Sequence, residues 1–410
     1  MHFSLRCHLC GTMFPPTALW VCDQCLGPLE VTYDYAAIAP LVSRALIESR
    51  PKNLWRYREF LPIANEPLTG LHSGFTPLVR AERLAKRLGV RELYVKDDSV
   101  NHPTCSYKDR VVSIAATRAV ELGFSVFACA STGNLANSVA SHAARLGLAC
   151  SVFIPDDLEP AKVTGASVYR PRIIAVRGNY DDVNRLCTQV ADRYQWGFAN
   201  INLRAYYAEG AKTYGFEIAE QLGWRFPRHV VSPVAGGTLL PRILKGFTEL
   251  REVGLVDGEL PSIHAAQAAG CAPVVRALHD GLEFPEPVKP NTLAKSIAIG
   301  NPADGFQVLR SVRSTGGSGA MVNDDEIIAG IQLLAETEGI FTEPAGGVTV
   351  ASTRKLIEQG AINRDESIVI CITGNGYKTA DVMNGRGVEP IRIGRSLAEF
   401  EAIEQTPAGV

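Results

Sequence analysis

From Gly70 onward, runs of β-branched and other apolar residues alternate with amphipathic stretches. Short apolar runs bounded by polar turns predict buried strands, and apolar residues at helical spacing between them predict helices. The predicted strands after Gly70 are 92–95, 125–130, 150–154, 173–176, 230–233, 263–267 and 367–372, and one earlier strand is predicted at 29–33. The predicted helices include 135–146, 180–193 and 210–222. This alternation indicates a mainly parallel α/β sheet with helices on both faces.

Composition and charge narrow the class of protein. The chain has 410 residues, of which 46% are hydrophobic and 20% charged, as in ordinary globular proteins with sizeable cores. A formal net charge of −2 provides no electrostatic basis for binding nucleic acid or a membrane surface. No apolar stretch is long enough to span a bilayer, and the N-terminal residues lack the apolar segment of a signal peptide. We therefore expect a cytoplasmic protein without nucleic-acid or membrane partners.

Lys108 lies at the junction of a predicted strand and a predicted helix, after a proline turn. Ser106 and Asp109 have the spacing of a helix cap, and apolar residues follow at helical period, so the sequence places Lys108 in a first helical turn. An amine that is partly desolvated at such a position can lose its proton and form a Schiff base. Taken alone, a first-turn lysine is more often a solvated charge.

Two other strand ends have the composition of anion sites. Ser131, Thr132 and Asn134 start a helix, where free backbone N–H groups and the helix dipole attract a carboxylate. The segment 235–239 combines two glycines with Thr238 ahead of another helix, which suits a phosphate group. It is neither a P-loop nor a dinucleotide-binding motif, because the characteristic lysine and the third glycine are missing. Each segment is by itself also compatible with plain helix capping.

A third strand end offers a further group that could contact the same ligand as the first two. Thr373 follows the strand 367–372 beside glycines and can offer a hydroxyl to a ring nitrogen, although a simple turn has the same composition. An amine at Lys108, a carboxylate site, a phosphate site and a neutral partner for a pyridine nitrogen are what pyridoxal phosphate requires. The combination therefore predicts this cofactor.

Four cysteines near the N-terminus form two matched Cys-x-x-Cys pairs, Cys7 with Cys10 and Cys22 with Cys25. Each pair is followed by a glycine within two positions, as a metal-binding knuckle requires. Four thiolates can surround one tetrahedral ion and leave no open coordination position. We therefore predict a structural zinc ion in a ribbon-like segment, residues 1–33; the alternative is a set of unrelated reduced thiols.

The ordered segments resemble the tryptophan synthase β-like (fold type II) family of pyridoxal-phosphate enzymes. The resemblance rests on residues 103–110 around Lys108, on Ser131-Thr-Gly-Asn134, and on the segments 74–78, 299–302, 343–345 and 373–378, and it covers roughly residues 70 to 380. It implies two open, mainly parallel sheets flanked by helices. We expect a large cofactor-binding domain (70–115 and 200–395), a small substrate-binding domain (116–199), a connecting helical segment (34–69) and a loose tail (396–410).

The resemblance also assigns roles to residues that bind the cofactor. Lys108 forms the Schiff base and acts as the mobile base, and Asn134 hydrogen-bonds the cofactor's 3′-oxygen. The phosphate is held by Ala235, Gly236, Gly237, Thr238 and Leu239. Thr373 meets the pyridine nitrogen, and a hydroxyl there does not force protonation of that nitrogen. The cofactor is then a weaker electron sink, which suits elimination and replacement better than transamination.

The resemblance implies the activity of a carbon–oxygen lyase that converts O-phospho-L-homoserine and water to L-threonine and phosphate. We then expect Ser131, Thr132 and Asn134 to seat the α-carboxylate and Arg204 or Lys212 to anchor the leaving phosphate. The resemblance alone implies a homodimer. Two related reactions stay open: replacement of the phosphate of phosphoserine by sulfite, and dehydration of serine or threonine. A non-catalytic protein whose ribbon contacts nucleic acid or a partner is a further alternative, against which the complete set of catalytic groups argues.

The chain departs from the family's pattern around the expected substrate. Cys105 and Tyr107 replace a glycine and a phenylalanine beside Lys108, and Leu135 replaces a frequent threonine. Tyr207 stands where the commoner form has an arginine, and the segment 235–239 is poorer in glycine than usual. These positions bear on the choice of substrate more than on the cofactor.

Overall fold

The computed structural model describes residues 2–156, 164–178 and 180–404, which form three β-sheets and the helices around them. The strands are β1 (Phe3–Cys7), β2 (Met13–Phe14), β3 (Leu29–Tyr33), β4 (Leu78–Arg80), β5 (Glu92–Asp97), β6 (Val126–Ala130), β7 (Ala149–Pro155), β8 (Arg172–Val176), β9 (Gly197–Phe198), β10 (His229–Pro233), β11 (Ser262–Ala268), β12 (Gly319–Val322) and β13 (Ser367–Ile372). The α-helices are α1 (Tyr35–Ile38), α2 (Arg44–Glu48), α3 (Glu82–Leu88), α4 (Lys108–Glu121), α5 (Asn134–Leu146), α6 (Thr164–Ser167), α7 (Tyr180–Tyr194), α8 (Arg204–Gly210), α9 (Thr213–Gln221), α10 (Leu239–Glu252), α11 (Pro273–His279), α12 (Gly305–Ser314), α13 (Asp324–Glu338), α14 (Pro344–Glu358) and α15 (Leu397–Glu404). Short 3₁₀ segments lie at Ala39–Leu41, Leu54–Phe60, Asp98–Val100, Lys295–Ile297 and Gly376–Met383.

The chain divides into two compact units, one ending at Thr379 and one beginning at Ala380. All three sheets belong to the first unit. The predicted large domain extends to residue 395, beyond this boundary. Of the predicted tail, α15 is described, whereas residues 405–410 lie outside the described residues. Among the helices of the described part, none is long and apolar enough to cross a membrane.

The larger sheet places the last strand of the chain at its centre. Its order is β12-β11-β10-β13-β5-β4, and all neighbours are parallel except β4, which runs antiparallel to β5. All residues of β13 are buried, as expected for a central strand covered on both faces. Helix α14 packs against β10 to β13, and α10 and α12 pack against β11. Because β13 lies between β5 and β10, its carboxyl end comes next to the loops that follow those strands.

The smaller sheet is entirely parallel, with the order β8-β7-β6-β9. Helices α5 and α7 pack against β6 and β7. All four strands fall within the predicted segment 116–199. The predicted α/β fold of two open, mainly parallel sheets flanked by helices is confirmed.

The N-terminal ribbon is a small antiparallel sheet of order β2-β1-β3. Its strand β3 packs against α8, which connects the ribbon to the body of the first unit. The hydroxyl of Tyr33 donates to Oε2 of Glu209 at 2.9 Å, and the hydroxyl of Tyr206 donates to the carbonyl of Thr17 at 2.8 Å. The ribbon is therefore attached through buried polar contacts as well as apolar ones.

Arg110 anchors the first turn of α4 in a fully buried network of ion pairs. Its Nε lies 2.6 Å from Oδ2 of Asp98, and its two terminal nitrogens donate to the two carboxylate oxygens of Glu217. Nζ of Lys96 contacts the same carboxylate at 2.6 Å. Burial alone would raise the pKa of Glu217, but Arg110 and Lys96 lower it to about 2. The network fixes α4 to β5 and α9.

Two buried histidines form a hydrogen-bonded relay between β10 and β11. Nδ1 of His264 accepts from the N–H of Ser318 at 3.1 Å, so its own proton lies on Nε2, which is 3.0 Å from Nδ1 of His229. Nε2 of His229 lies 2.8 Å from Oε2 of Glu366. Burial, assisted by His229, lowers the pKa of His264 to about 3. His264 therefore stays neutral in the folded protein.

This relay should make stability fall in mild acid. Below the ordinary histidine pKa the unfolded chain takes up a proton at position 264 that the folded chain does not, so acid favours unfolding until the pH approaches 3. We expect this group alone to lower the free energy of unfolding by about 2 kcal/mol between pH 7.5 and pH 5. Urea unfolding of the wild type and of His264→Gln at both pH values measures it. An equal pH dependence in the two proteins would contradict the prediction.

Candidate active site

Lys108 is the first residue of α4 and follows the carboxyl end of β5, in agreement with the sequence prediction. The predicted cap between Ser106 and Asp109 is wrong, because the Ser106 hydroxyl is buried without a hydrogen-bond partner among the described residues. The Asp109 carboxylate instead accepts from the backbone N–H of Thr104 at 2.9 Å and from the hydroxyl of Ser138 at 2.6 Å. Asp109 thus ties the loop before Lys108 to α5.

The amine of Lys108 lies between two phenol hydroxyls. Its Nζ donates to Oη of Tyr107 and to Oη of Tyr207, both at 2.9 Å. Tyr207 belongs to α8 and is only 4% exposed. Burial favours the neutral amine, but the side chains of Tyr107 and Tyr207 outweigh it and raise the pKa of Lys108. The structure thus holds the amine in a defined position.

The loop after β13 runs beside the loop that carries Lys108. The N–H of Tyr107 donates to the carbonyl of Thr373 at 2.9 Å, and the N–H of Asn375 donates to the carbonyl of Cys105 at 3.2 Å. Thr373 is buried, with 4% of its surface exposed. The structure therefore brings Thr373 next to Lys108, as expected if both contact one ligand.

Asn134 is held by two charged residues that sequence reasoning did not include in the site, Glu343 and Lys378. Nδ2 of Asn134 donates to Oε2 of Glu343 at 2.9 Å, and Nζ of Lys378 donates to Oδ1 of Asn134 at 2.7 Å. Burial raises the pKa of Glu343, although Lys378 and Asn134 oppose it. A Cβ on Gly374 would lie 2.5 Å from this carboxylate, so a larger residue there would displace the Glu343 side chain. Glu343 and Lys378 could have been found from the sequence, because they lie in the segments 343–345 and 373–378 that resemble the family.

The loop between β10 and α10 meets Asp304 and Arg204. The hydroxyl of Thr238 donates to Oδ2 of Asp304 at 3.0 Å, and Nη2 of Arg204 lies 2.8 Å from the same oxygen. Burial would raise the pKa of Asp304, but Arg204 is the largest opposing influence and the net effect is to lower it. Gly237 has a φ of +93°, and a Cβ there would lie 2.8 Å from the Asp304 backbone. Arg204 therefore brings positive charge beside the predicted phosphate loop.

The family described as "Pyridoxal-phosphate dependent enzyme" matches residues 70–374 of this chain. That range includes Lys108, both loops that start helices at the strand ends, and Thr373. The chain belongs to this family. The predicted membership in the fold type II pyridoxal-phosphate enzymes is confirmed.

Individual relatives of this pyridoxal-phosphate enzyme match nearly its whole length. Threonine synthase from Methanocaldococcus jannaschii is 40% identical over 391 residues, covering 95% of this chain and 96% of the relative. Threonine synthase from Methanosarcina acetivorans is 36% identical over 410 residues, covering 99% of each chain. Among solved structures, a fungal L-serine ammonia-lyase from Rhizomucor miehei superposes with a TM-score of 0.64 at 20% identity, covering 77% of this chain and 99% of that one. The structural likeness supports the fold alone.

The residues present fit the cofactor of the family. Lys108 provides a primary amine, and Asn134 lies at the start of α5, where backbone N–H groups are free for an anion. A Cβ built on Gly236 would meet no atom within 4 Å, so there is open space against the backbone ahead of α10. A phosphate group can approach the helix N-terminus through that space.

Cys105 explains why the family pattern has glycine at this position. Its φ is +56°, in the left-handed region that residues with a Cβ rarely adopt. Its carbonyl accepts from Nζ of Lys378 at 2.8 Å and its N–H donates to the carbonyl of Asn101 at 2.8 Å, so the strained backbone conformation is held from both sides. The departure from glycine changes the side chain next to Lys108 but keeps the glycine-like conformation.

The expectation that Lys212 anchors the leaving phosphate is corrected by the structure. Lys212 is fully buried, and its Nζ lies 2.7 Å from Oε2 of Glu209 and 2.9 Å from Oε2 of Glu249. The ring centroid of Tyr33 lies 3.8 Å from the same Nζ. An ammonium satisfied by two carboxylates beneath the ribbon is not accessible to a substrate. Sequence spacing could reveal only Glu209, three residues before Lys212, because Glu249 comes from α10 and Tyr33 from β3.

The four N-terminal cysteines converge as predicted. The sulfur atoms of Cys7, Cys10, Cys22 and Cys25 lie within 4.8 Å of one another. The N–H of Leu9 donates to Sγ of Cys7 at 3.4 Å, and the equivalent bond in the second knuckle, from Gln24 to Cys22, has the same length. Amide N–H groups directed at sulfur stabilise thiolates. The donor set therefore suits a tetrahedral metal ion.

Proposed function

We propose that this chain is a threonine synthase, which uses pyridoxal phosphate to convert O-phospho-L-homoserine and water to L-threonine and phosphate. The observation that carries the proposal is the match over 95% of the chain to a relative of that name at 40% identity. The site supports it, since a half-buried lysine amine starts α4 beside the threonine-ended strand β13, and Lys378 in the loop after that strand contacts Asn134 at the start of α5. The fold alone does not select a substrate.

Lys108 is the central residue of the proposed reaction. Bound pyridoxal phosphate supplies an aldehyde that condenses with amines and a conjugated ring that accepts the electron pair left when a proton departs. Lys108 holds the cofactor in the resting enzyme, then removes the Cα proton of the substrate and assists removal of one from Cβ. After phosphate has left Cγ, one proton is returned to Cγ to make the methyl group, the oxygen of water adds at Cβ, and Lys108 returns the second proton to Cα.

The remaining groups bind and orient the substrate and the cofactor. Ser131, Thr132 and Asn134, at the start of α5, seat the α-carboxylate, and Asn134 also contacts the cofactor's 3′-oxygen. Residues Ala235, Gly236, Gly237, Thr238 and Leu239 would hold the cofactor phosphate, and Thr373 would offer its hydroxyl to the pyridine nitrogen. Glu343 and Lys378 fix the rotamer of Asn134 through bonds of 2.9 and 2.7 Å. Arg204, beside Thr238 and 36% exposed, is the candidate for the leaving phosphate.

Several finer features belong to the same proposal. The large domain comprises 70–115 and 200–395, the small domain 116–199, and the segments 1–33, 34–69 and 396–410 are the ribbon, the connection and the tail. The enzyme works in the cytoplasm as a homodimer on a small amino-acid phosphate, without nucleic-acid or membrane partners. The near-neutral net charge of −2 supports the last point.

A comparison of three substrates tests the proposal. Purified holoenzyme is given O-phospho-L-homoserine, O-phospho-L-serine with sulfite, or L-threonine, and phosphate, amino acids and 2-oxobutyrate are measured. We expect phosphate and L-threonine in equal amounts from the first substrate and slow or no turnover of the others. Cysteate from phosphoserine, or 2-oxobutyrate from threonine, as the fastest product would overturn the assignment.

We also propose that Cys7, Cys10, Cys22 and Cys25 bind one structural zinc ion. Metal analysis of reduced protein is expected to give about one zinc per chain, because four thiolates satisfy one tetrahedral ion. Cys22→Ser should lose that zinc and unfold at a lower temperature, whereas Cys187→Ser, which removes a buried cysteine outside the cluster, should keep it. Wild-type protein without zinc would disprove the assignment.

A further inference from the structure

Two tyrosine hydroxyls converge on the amine that the proposed reaction uses as its base. Oη of Tyr107 and Oη of Tyr207 each lie 2.9 Å from Nζ of Lys108, one from the residue before α4 and one from the middle of α8. The two ring centroids lie 4.7 and 5.6 Å from the same nitrogen. Contacts from two separate elements, at equal and normal hydrogen-bond lengths, define the direction in which the amine points.

The Tyr207 acceptor is a neutral phenol, which suits a group that must take up and release a proton. Burial raises the pKa of Tyr207, so its phenol stays protonated at neutral pH. The carboxylate of Glu343 is bonded instead to Asn134 and lies close to Lys378. An ion pair with a carboxylate would hold the Lys108 proton more firmly than a phenol oxygen does. The neutral Tyr207 phenol therefore accepts from the ammonium without forming an ion pair with it.

The number of N–H groups on the Lys108 amine determines which position on its nitrogen remains available for the substrate's proton. Neutral Lys108 has two N–H groups and one lone pair, and the ammonium has three N–H groups. If two N–H groups donate to Tyr107 and Tyr207 in both states, the lone pair of the base and the third N–H of the acid point in the same direction. A proton can then leave and return along one line, without rotation of the lysine.

We propose that Tyr207, assisted by Tyr107, is a positioning residue. It aims the lone pair of the neutral Lys108 amine, or the third N–H of the ammonium, at the substrate's Cα. In the proton transfer that this geometry serves, the Cα–H bond breaks, its electron pair stays with the substrate, where a bound cofactor would delocalise it, and a new N–H bond forms on Lys108. The reverse transfer returns that proton to Cα. The inference rests on the proposed function for the identity of the substrate, but not for the state of the lysine.

The test compares Tyr207→Phe with Tyr206→Phe. Tyr206 is the adjacent residue of α8, is also buried, and donates its hydroxyl to Thr17 on the side of the ribbon, away from Lys108. Loss of a hydrogen bond to a charged group should lower both kcat and the rate of Cα-proton exchange of L-threonine with D2O by roughly 10- to 100-fold in Tyr207→Phe. KM and the absorbance of the bound cofactor should change little, and Tyr206→Phe should match the wild type.

A second readout does not require turnover. In the cofactor-free chain, the pH dependence of Lys108 acetylation, followed by mass spectrometry, reports how well the ammonium is stabilised. Half-maximal reactivity should move to lower pH in Tyr207→Phe and in Tyr107→Phe, but not in Tyr206→Phe. Tyr107→Phe also provides a substitute if Tyr207→Phe does not fold.

The outcomes separate the two claims. Wild-type exchange and an unshifted acetylation profile in Tyr207→Phe would overturn the role of Tyr207, even if the enzyme makes threonine. Equal losses in Tyr206→Phe and Tyr207→Phe would reduce that role to packing and also overturn it. A wild-type enzyme that does not release phosphate from O-phospho-L-homoserine would refute the proposed function, and the acetylation arm would still decide the inference.

Discussion

Replacement of Lys108 by alanine is expected to lower threonine formation by roughly 10³-fold or more, because it removes both the covalent attachment of the cofactor and the base. The amine lies at the start of α4 and donates to the hydroxyls of Tyr107 and Tyr207 at 2.9 Å. No other lysine of the described chain contacts these two hydroxyls. The measurement is phosphate release from O-phospho-L-homoserine together with covalent trapping of the cofactor by borohydride.

Two control variants sharpen the Lys108 experiment. Lys108→Arg keeps the positive charge but has no nucleophilic amine, so it should be as inactive as the alanine variant. Lys86→Ala removes an exposed lysine of α3 and should keep wild-type turnover and trapping. Full turnover by Lys108→Ala would show that the proposed chemistry is wrong. Borohydride attachment at another lysine would identify a different site.

Replacement of Glu217 by alanine is expected to lower the free energy of unfolding by about 3–5 kcal/mol, because two buried cations lose their shared carboxylate. Arg110 and Lys96 contact that carboxylate, and all three side chains are fully buried. Arg110 follows Lys108 by two residues, so the start of α4 should loosen as well. Urea unfolding, monitored by circular dichroism, measures the change in stability.

An exposed ion pair on the same protein provides the matched control. Glu82 lies 3.6 Å from Arg80, and both side chains are more than 60% exposed. Solvent screens such a pair, so Glu82→Ala should change the free energy of unfolding by less than about 1 kcal/mol. If Glu217→Ala and Glu82→Ala gave similar small changes, the buried network would not have the stabilising role inferred from its geometry.

Local patterns in the sequence predicted several elements of the site. Strand 367–372 and the helix start near Lys108 could be read from apolar runs and period, since those signals are contained in a few consecutive residues. The cysteine knuckles could be read for the same reason, because two short spacings bring four thiols together. The cap expected between Ser106 and Asp109 failed because the tertiary contacts of Asp109 compete with the local bond.

By itself, the sequence determined eight of the thirteen strands of the described chain, the amine at Lys108, the glycine loops and the cysteine cluster, all of which depend on local spacing; it missed β1, β2, β4, β9 and β12. Only the tertiary structure decided which side chains meet. It placed Lys212 under the ribbon and Tyr207 on the amine, although both lie on the same stretch of chain. The physical reason is that contacts across elements depend on packing and strand order, which consecutive residues do not encode. For Lys212 and Tyr207, these contacts determine whether a polar side chain serves the reaction or the fold.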